Sequence, residues 1–371
     1  MSADRNWLIF NIGALVVLAF GIAGCVIGGV VFGGTGFFRA WLCAYLLWLG
    51  VPLAGVTLVL VHDLTGGDWM ATARPVLDAA IATMPLATLA GIPAFVDLHA
   101  LYSWTHPVPS LTNTFYLNPT AFYIRYGAYV VLWNLLAAFA LWAPRGVRSP
   151  ILPRLSWMSG IALILLAFSC GFAAIDWILS LDPSFWSSIF PYIAGAGWFN
   201  TGLALVLLAI ALFGWPGEEE RRAHMADVAR ILLATTIFWA YTEFMQFLII
   251  WEENIKHEIE WYLYRLDPTW HGALYVAAGL GFMVPFLVLL WAPSKRSRVV
   301  VAVICVLMLL SRVADYWWLV LPQFRTAGPF WLDFAAIIAL GAAIVLLFAW
   351  ALRYVRRVVA GGGQVWRVGH V

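Results

Sequence analysis

Six ionisable residues lie inside apolar stretches of helix length, and four of them fall at about the same predicted depth near the outer side: Asp176, Glu243, Arg312 and Asp315. A charge in hydrocarbon is costly unless it is paired or faces a water-filled cavity, so such residues are functional candidates. Arg312 precedes Asp315 by three positions on one helical face, so it can pair with Asp315 or with an acid of a neighbouring helix. With three acids for one arginine, at least one carboxyl lacks a cationic partner and favours its protonated form. This pattern predicts proton uptake and release by Asp176 or Glu243; structural ion pairs between helices are the alternative.

A polar stripe surrounds Glu243. Thr236, Trp239, Glu243 and Gln246 recur every three to four residues and therefore share one helix face. This face predicts either a line of water leading toward the outer surface or a hydrogen-bonded contact between helices.

A further buried acid, Asp78, marks the opposite, cytoplasmic side of the membrane. Arg74 precedes it by four residues, which is a helical pairing distance. Asp78 is a candidate for proton uptake, whereas the nearby His62, Asp63 and Asp68 are typical of a solvated loop. Between Asp78 and the outer acids the sequence has no ionisable residue at mid-membrane, so a proton route must cross on Ser, Thr, Tyr or water. Two half-channels therefore agree with the sequence better than one continuous path.

A second polar group is expected at the outer ends of the spans. Asp97 and His99 close the third span, Arg125 lies just inside the fourth, and Asp333 lies just inside the tenth. A quinone headgroup needs hydrogen-bonding groups at its two carbonyls within an apolar cleft. These four residues are candidates for a quinone pocket, with His99 as the most suitable donor, and a solvated interface is the alternative.

The composition is that of a polytopic membrane protein. Of the 371 residues, 63% are hydrophobic and only 11% are charged, whereas about one quarter are charged in soluble domains. Apolar runs of about 20 residues predict a single all-α membrane domain with about ten transmembrane helices. The spans are expected near residues 7–32, 37–62, 75–100, 119–143, 154–181, 186–214, 227–251, 268–292, 298–321 and 329–353.

The distribution of Lys and Arg predicts the orientation of the spans. Positive residues accumulate on the cytoplasmic side, and placing both termini in the cytoplasm puts 15 of the 21 Lys and Arg residues there. The exceptions are Arg312 within a span and, on the outer side, Arg39, Arg125, Lys256, Arg265 and Arg325.

The sequence lacks the usual ligand patterns of electron carriers. Its four Cys are scattered one per span without Cys-x-x-Cys spacing, and no two spans offer facing His at mid-membrane. These patterns predict that the chain itself holds no iron–sulfur cluster, haem or other metal. There is no nucleotide-binding fingerprint, and the net charge of +2 does not indicate a nucleic acid partner.

Several segments resemble the membrane subunits of bacterial alternative complex III, in particular its F-type subunit, a relative of the NrfD-like anchors of polysulfide reductases. The most specific signals are an acid and Trp followed by Ser-Leu-Asp-Pro, and the phrase that ends in Trp-Glu-Glu-Asn. The matching stretches run in the same order from residue 62 to 334: HDLTGGDWMATARPVLDAAIATMPL, YLNPTAFYIRYGAY, AAIDWILSLDPSFWSSIF, FWAYTEFMQFLIIWEENIKHEIEWYL, SRVADYWWLVLP and WLDF.

The resemblance implies two four-helix bundles, formed by spans 2–5 and 6–9, with the first and last spans peripheral. It also implies a subunit of a quinol-oxidising respiratory complex in the bacterial cytoplasmic membrane, which passes electrons toward cytochrome c or a terminal oxidase. Haem and iron–sulfur clusters are then expected on partners, namely iron–sulfur and multihaem cytochrome c subunits beside a sister NrfD-like membrane subunit and lipid. The F-type subunit is expected to supply a proton path, here through Asp176, Glu243, Arg312, Asp315 and Asp78.

Three other functions stay open from the sequence. The chain itself could oxidise quinol in the pocket near His99 and Asp97, or it could be a purely structural membrane anchor. It could also be a secondary transporter, since proline residues interrupt several spans. The prolines do not fall at matching positions in two halves, which disfavours the transporter.

Overall fold

The computed structural model of the protein describes residues 2–67, 70–106, 113–142, 155–213, 218–325 and 331–360. Within these ranges every regular element is helical and no strand occurs. The α-helices are α1 (Ser2–Thr65), α2 (Met70–Ile81), α3 (Met84–Leu89), α4 (Ile92–Phe95), α5 (Pro119–Trp142), α6 (Leu155–Trp177), α7 (Phe190–Leu212), α8 (Glu218–Glu253), α9 (Lys256–Arg265), α10 (Pro268–Ala278), α11 (Val284–Leu290), α12 (Arg298–Val320) and α13 (Trp331–Ala360).

Nine stretches of the described residues are long and apolar enough to cross a membrane. The first has 59 residues and is interrupted at Gly33, whose φ of 72° is readily adopted only by glycine. Gly28 and Gly36 both approach Leu332 of α13, although eight residues of straight helix would separate them by about 12 Å. The chain therefore folds back at Gly33 into two helices, so the described residues form about ten helices long and apolar enough to cross a membrane, as predicted.

Two predicted spans are interrupted. Pro85 and Pro93 stand in the first turns of α3 and α4, so span three is divided into three short helices. In span eight, a π-helical turn, Gly279–Met283, separates α10 from α11 just before Pro285. Irregular helix at membrane depth is tolerated where it is buried in protein, and π-helical turns are frequent at functional sites.

The helices pack in two neighbouring sets. In one set α1 packs against α2 and α6, and α5 packs against α3 and α6. In the other set α7 packs against α8 and α12, α10 packs against α12, and α11 packs against α8. Contacts between α1 and α7 join the two sets, and α13 packs against α1 and α2.

Backbone atoms form part of the contact between α1 and α7. A Cβ atom added to Gly50 would collide with the carbonyl oxygen of Trp198, and one added to Gly202 would collide with Gly50 and Ala54. Small residues allow this close approach, which is common where membrane helices pack. The two sets of helices are therefore joined directly through Gly50 and Gly202.

A short internal repeat begins one helix of each set. Leu-Asn-Pro-Thr at 117–120 precedes α5, and Leu-Asp-Pro-Thr at 266–269 precedes α10. In both, the second residue caps the helix: the Asn118 side chain accepts from the Ala121 N–H at 2.8 Å, and Asp267 accepts from the Thr269 N–H at 2.9 Å. Spans four and eight thus begin in the same way.

Candidate functional site

Asp176 forms an ion pair with Arg125 of the neighbouring helix α5. The Nε atom of Arg125 lies 2.9 and 3.1 Å from the two carboxylate oxygens, and the Tyr129 hydroxyl donates to one of them at 2.7 Å. The Asp176 side chain is 1% exposed. The prediction that the outer acids share a single arginine is therefore wrong, because sequence spacing does not reveal that Arg125 lies against Asp176.

Arg312 pairs with Asp315 on its own helix. Its Nη1 atom donates to Asp315 at 3.1 Å, both side chains are buried, and the guanidinium lies 3.9 Å from the centre of the Trp239 ring. Of the two partners predicted for Arg312, the structure shows Asp315. Among the described side chains, Arg312 Nε and Nη2 find no hydrogen-bond acceptor, and the buried Oε1 of Glu243 finds no donor.

The polar stripe of α8 faces the protein interior. Thr236 and Gln246 are buried, and Gln246 accepts from Ser187 at 2.6 Å and donates to Tyr262 at 3.3 Å. Charged groups acting on Glu243 are Asp315, Arg312 and Arg265. The outer end of the stripe is thus a hydrogen-bonded contact between helices, which was one of its two predicted forms.

The π-helical turn of span eight lies against Arg312. A Cβ atom added to Gly281 would stand 2.6 Å from Ser311 Oγ and 2.8 Å from Arg312 Nη2. The absence of a side chain at Gly281 therefore leaves the room that the guanidinium occupies. Sequence spacing does not reveal this contact, although Gly279, Gly281 and the following proline are a signal for irregular helix.

The four residues predicted to form one outer cluster divide into two groups. Asp176 of α6 pairs with Arg125 of α5. The other three residues lie on α8 and α12, where Arg312 pairs with Asp315 and Glu243 is nearby. Asp176 and Asp315 occupy similar positions, since each lies near the end of its helix and precedes a proline by seven residues. One acid is neutralised by an arginine of a neighbouring helix and the other by an arginine of its own helix.

The four candidates for a quinone pocket differ in their surroundings. Asp97 and His99 are exposed, and Asp97 accepts from the His99 backbone N–H at 3.1 Å. Arg125 is engaged by Asp176. Asp333 is fully buried on α13, where its electrostatic neighbours include Cys43 of α1.

On the side predicted to be cytoplasmic, Arg74 pairs with Asp78 as their spacing predicts. Arg74 Nε donates to Asp78 at 3.0 Å, and Arg74 Nη2 donates to the Ala140 carbonyl of α5 at 2.8 Å. Across from them, His224 Nδ1 lies 2.7 Å from the Thr72 hydroxyl, and both residues are buried. Asp68 lies outside the described residues.

Two buried residues were not among the sequence candidates. His224 belongs to α8, which begins at Glu218 rather than near residue 227 as predicted. Arg265, predicted as an ordinary outer-side cation, lies buried in α9 between membrane spans and donates to the carbonyls of Trp261 and Leu319 at 2.9 and 2.6 Å. Burial lowers the pKa of Arg265 to about 9. Neither position has a distinctive spacing that the sequence could reveal.

Between the inner and outer groups, α3 and α5 are joined by uncharged polar side chains. Asn134 donates to the Thr88 hydroxyl at 2.9 Å, Thr88 donates to the Met84 carbonyl at 2.9 Å, and Tyr126 donates to the Thr88 carbonyl at 2.7 Å. Each of these donors has an acceptor in the protein. This mid-membrane group therefore holds helices together and offers no open chain of hydroxyls by itself.

Among the described residues, no group of three His, Cys, Asp or Glu side chains could hold a metal ion. A comparison with models of known protein families finds no match, and a comparison with curated protein sequences finds none either. The resemblance to the F-type subunit of alternative complex III stays a prediction.

Proposed function

We propose that this protein is a membrane subunit of a quinol-oxidising respiratory complex similar to alternative complex III, and that it supplies part of a proton path. In this proposal spans 2–5 and 6–9 form two four-helix bundles in the bacterial cytoplasmic membrane, with both termini in the cytoplasm. Electron carriers belong to iron–sulfur and multihaem cytochrome c partners, beside a sister NrfD-like membrane subunit. An all-helical chain with buried acids on several of its spans supports this role.

The observation that carries the proposal is the group formed by Glu243, Arg312 and Asp315. Two acids lie near Arg312, which pairs with Asp315, and among the described side chains hydrogen-bonding atoms of both Glu243 and Arg312 find no partner. A neutral Glu243 leaves Arg312 paired with Asp315, while a charged Glu243 has Arg312 and Arg265 as cationic neighbours. Both protonation states of Glu243 therefore have a compensated arrangement, which a proton carrier requires.

Asp176 is suited to a different role. Both of its carboxylate oxygens accept from Arg125 and one also accepts from Tyr129, so taking up a proton would break an established ion pair. Breaking a buried pair is strongly unfavourable. We therefore assign proton exchange to Glu243 and a structural role to Asp176.

The route is proposed as two half-channels. The inner one begins at Arg74, Asp78 and the facing pair of Thr72 and His224. The outer one leads from Glu243 past Gln246. His224 and Glu243 lie on one helix but are separated by roughly 28 Å along it, so water must connect the two levels.

The test is proton translocation by the assembled complex in vesicles. Glu243→Gln keeps the size of the side chain and removes its titration, so we expect quinol oxidation to continue while protons released per electron fall. Asp176→Asn is the matched variant at the equivalent acid. An unchanged proton-to-electron ratio in Glu243→Gln would overturn the proposal. If both variants assemble poorly but the complexes that do assemble keep the normal ratio, the chain is a structural anchor instead.

A further inference from the structure

The segment between α6 and α7 contacts both α8 and α9. Its Ser187 hydroxyl donates to Gln246 of α8 at 2.6 Å, and Gln246 lies three residues, less than one helical turn, from Glu243. Its Phe185 ring stacks on the Trp261 ring of α9 with a centroid distance of 4.5 Å. These two contacts hold the segment against the group of residues around Glu243.

The same segment forms one wall of a small pocket on the side predicted to be outer. The pocket has a volume of about 190 Å³, and a water molecule takes about 30 Å³ in the liquid, so there is room for several. The polar residues of its lining are Asn113, Tyr116, Ser180 and Asp182. Among the described residues that line it, Asp182 is the only carboxylic acid. A proton on Asp182 can therefore pass to water in this pocket.

Asp182 and Glu243 both act on the buried charge of Arg265. The guanidinium of Arg265 donates to the main-chain carbonyls of Trp261 and Leu319 and lies 3.5 Å from the centre of the Trp261 ring. A buried cation of this kind needs negative charge nearby. When one proton moves from Glu243 to Asp182, one carboxylate stays beside Arg265 before and after the transfer. The transfer therefore leaves no uncompensated charge.

The hydrogen bonds of Asp182 leave one of its oxygens able to take up a proton. Asp182 Oδ1 accepts from the Ser184 N–H at 3.1 Å and from the Ser184 hydroxyl, and neither bond uses Oδ2. Asp176 differs, because both of its oxygens accept from Arg125. Protonation of Asp182 at Oδ2 therefore keeps its bonds to Ser184, whereas protonation of Asp176 breaks an ion pair.

We infer that Asp182 releases to the outer side the proton that Glu243 carries. Glu243 loses the proton, Asp182 takes it up, and water in the pocket receives it as Asp182 returns to its carboxylate form. Arg265 is the positioning residue, since its charge stabilises whichever of the two acids is ionised. The inference rests on the proposed function, because it takes Glu243 as the proton carrier, and it names the outer end of the outer half-channel.

The test is time-resolved infrared spectroscopy of the full chain in phosphatidylcholine nanodiscs after a rapid rise in pH. The band of the protonated Glu243 carboxyl is the one that disappears in Glu243→Gln. We expect this band to decay at least about tenfold more slowly in Asp182→Asn, because a positioned proton acceptor typically contributes that factor or more. The decay should still go to completion. Asn keeps an oxygen that accepts from the Ser184 N–H, so the variant removes the titration and retains the local structure.

The matched control is Asp267→Asn. Both acids stand in a Leu-Asp-Pro sequence and accept from the N–H two residues further on, which belongs to Ser184 or to Thr269. Asp267 is exposed, however, and does not line the pocket. Asp267→Asn should therefore decay like the unaltered protein.

Two more variants separate proton transfer from structure. Asp182→Glu restores a carboxyl and should recover most of the rate, whereas Asp182→Ser keeps a capping acceptor without a titrating group and should be slow. Equal decay of Asp182→Asn and Asp267→Asn would overturn the inference and leave Glu243 as the proton carrier. The lack of any pH-dependent Glu243 band would overturn the proposed function and this inference together.

Discussion

Arg125 and Asp176 join α5 to α6 through a buried ion pair, in which Arg125 Nε stands 2.9 Å from Asp176 Oδ2. The equivalent acid of the other set, Asp315, takes its arginine from its own helix. The first pair therefore fixes two helices relative to each other, whereas the second leaves the neighbouring α8 free to contribute Glu243 as an additional acid.

Asp176→Asn should destabilise the protein by about 3 kcal/mol, because it leaves the Arg125 charge without its partner. The measurement is thermal unfolding in detergent, followed by size-exclusion chromatography. The double variant Arg125→Leu with Asp176→Leu should recover much of this loss, since an apolar pair carries no uncompensated charge. In the assembled fraction of Asp176→Asn, protons per electron should stay normal; a fall equal to that of Glu243→Gln would contradict the division of roles.

Gly281→Ala should displace Arg312, because the added methyl group would stand 2.8 Å from its Nη2 atom. We expect a loss of stability of about 1–3 kcal/mol and a reduced proton-to-electron ratio. Gly279→Ala is the control in the same π-helical turn, since an added Cβ there has no atom within 4 Å. If the two variants have the same stability and the same proton-to-electron ratio, the contact of the turn with Arg312 matters for neither.

Gly50→Ala should weaken the contact between α1 and α7, because the methyl group would meet the Trp198 carbonyl oxygen. A loss of about 1–3 kcal/mol is expected from such overpacking, measured as a lower unfolding temperature in detergent. Gly127→Ala adds the same methyl group in open space and should leave the unfolding temperature unchanged or slightly raised. Equal stability of the Gly50 and Gly127 variants would show that the two helices can move apart without cost.

Asp267 should make stability depend on pH at the acidic end. The side chain and backbone N–H of Thr269 lower its pKa below the usual 3.8. A depressed pKa in the folded state means that the cap contributes stability above about pH 4 and loses it as the pH falls through the lowered value. Asp267→Asn, which copies Asn118 of the repeat, should keep the cap while removing this contribution from the pH dependence of the unfolding temperature. If the unfolding temperatures of the unaltered protein and of Asp267→Asn depend on pH in the same way, Asp267 is not the source of this pH dependence.

The residues that the sequence pairs correctly are those within one helix. Arg74 with Asp78 and Arg312 with Asp315 follow from helical periodicity, because three or four positions bring side chains together whatever the tertiary structure. Arg125 with Asp176 depends on how α5 packs against α6, and no spacing within either helix carries that information. The helices long enough to span a membrane were predictable because the thickness of the hydrocarbon layer sets their length and requires an apolar composition.

The internal repeat is one sequence signal that carries information about residues on different helices. The Leu-Asn-Pro-Thr and Leu-Asp-Pro-Thr segments show that spans four and eight begin alike, and the shared spacing to proline gives Asp176 and Asp315 similar positions. The repeat therefore suggests that Asp176 belongs to one half of the chain and Asp315 to the other, which the spacing within single helices does not.

The close contact of Gly50 with Gly202 also bears on how the two sets of helices can move relative to each other. Transporters built from two halves expose a central site alternately by rocking one half against the other. Here main-chain atoms of α1 and α7 meet directly, which leaves little room at this junction for one half to shift against the other. We therefore expect the proposed proton path to depend on side-chain rotation and on water rather than on movement of these two helices.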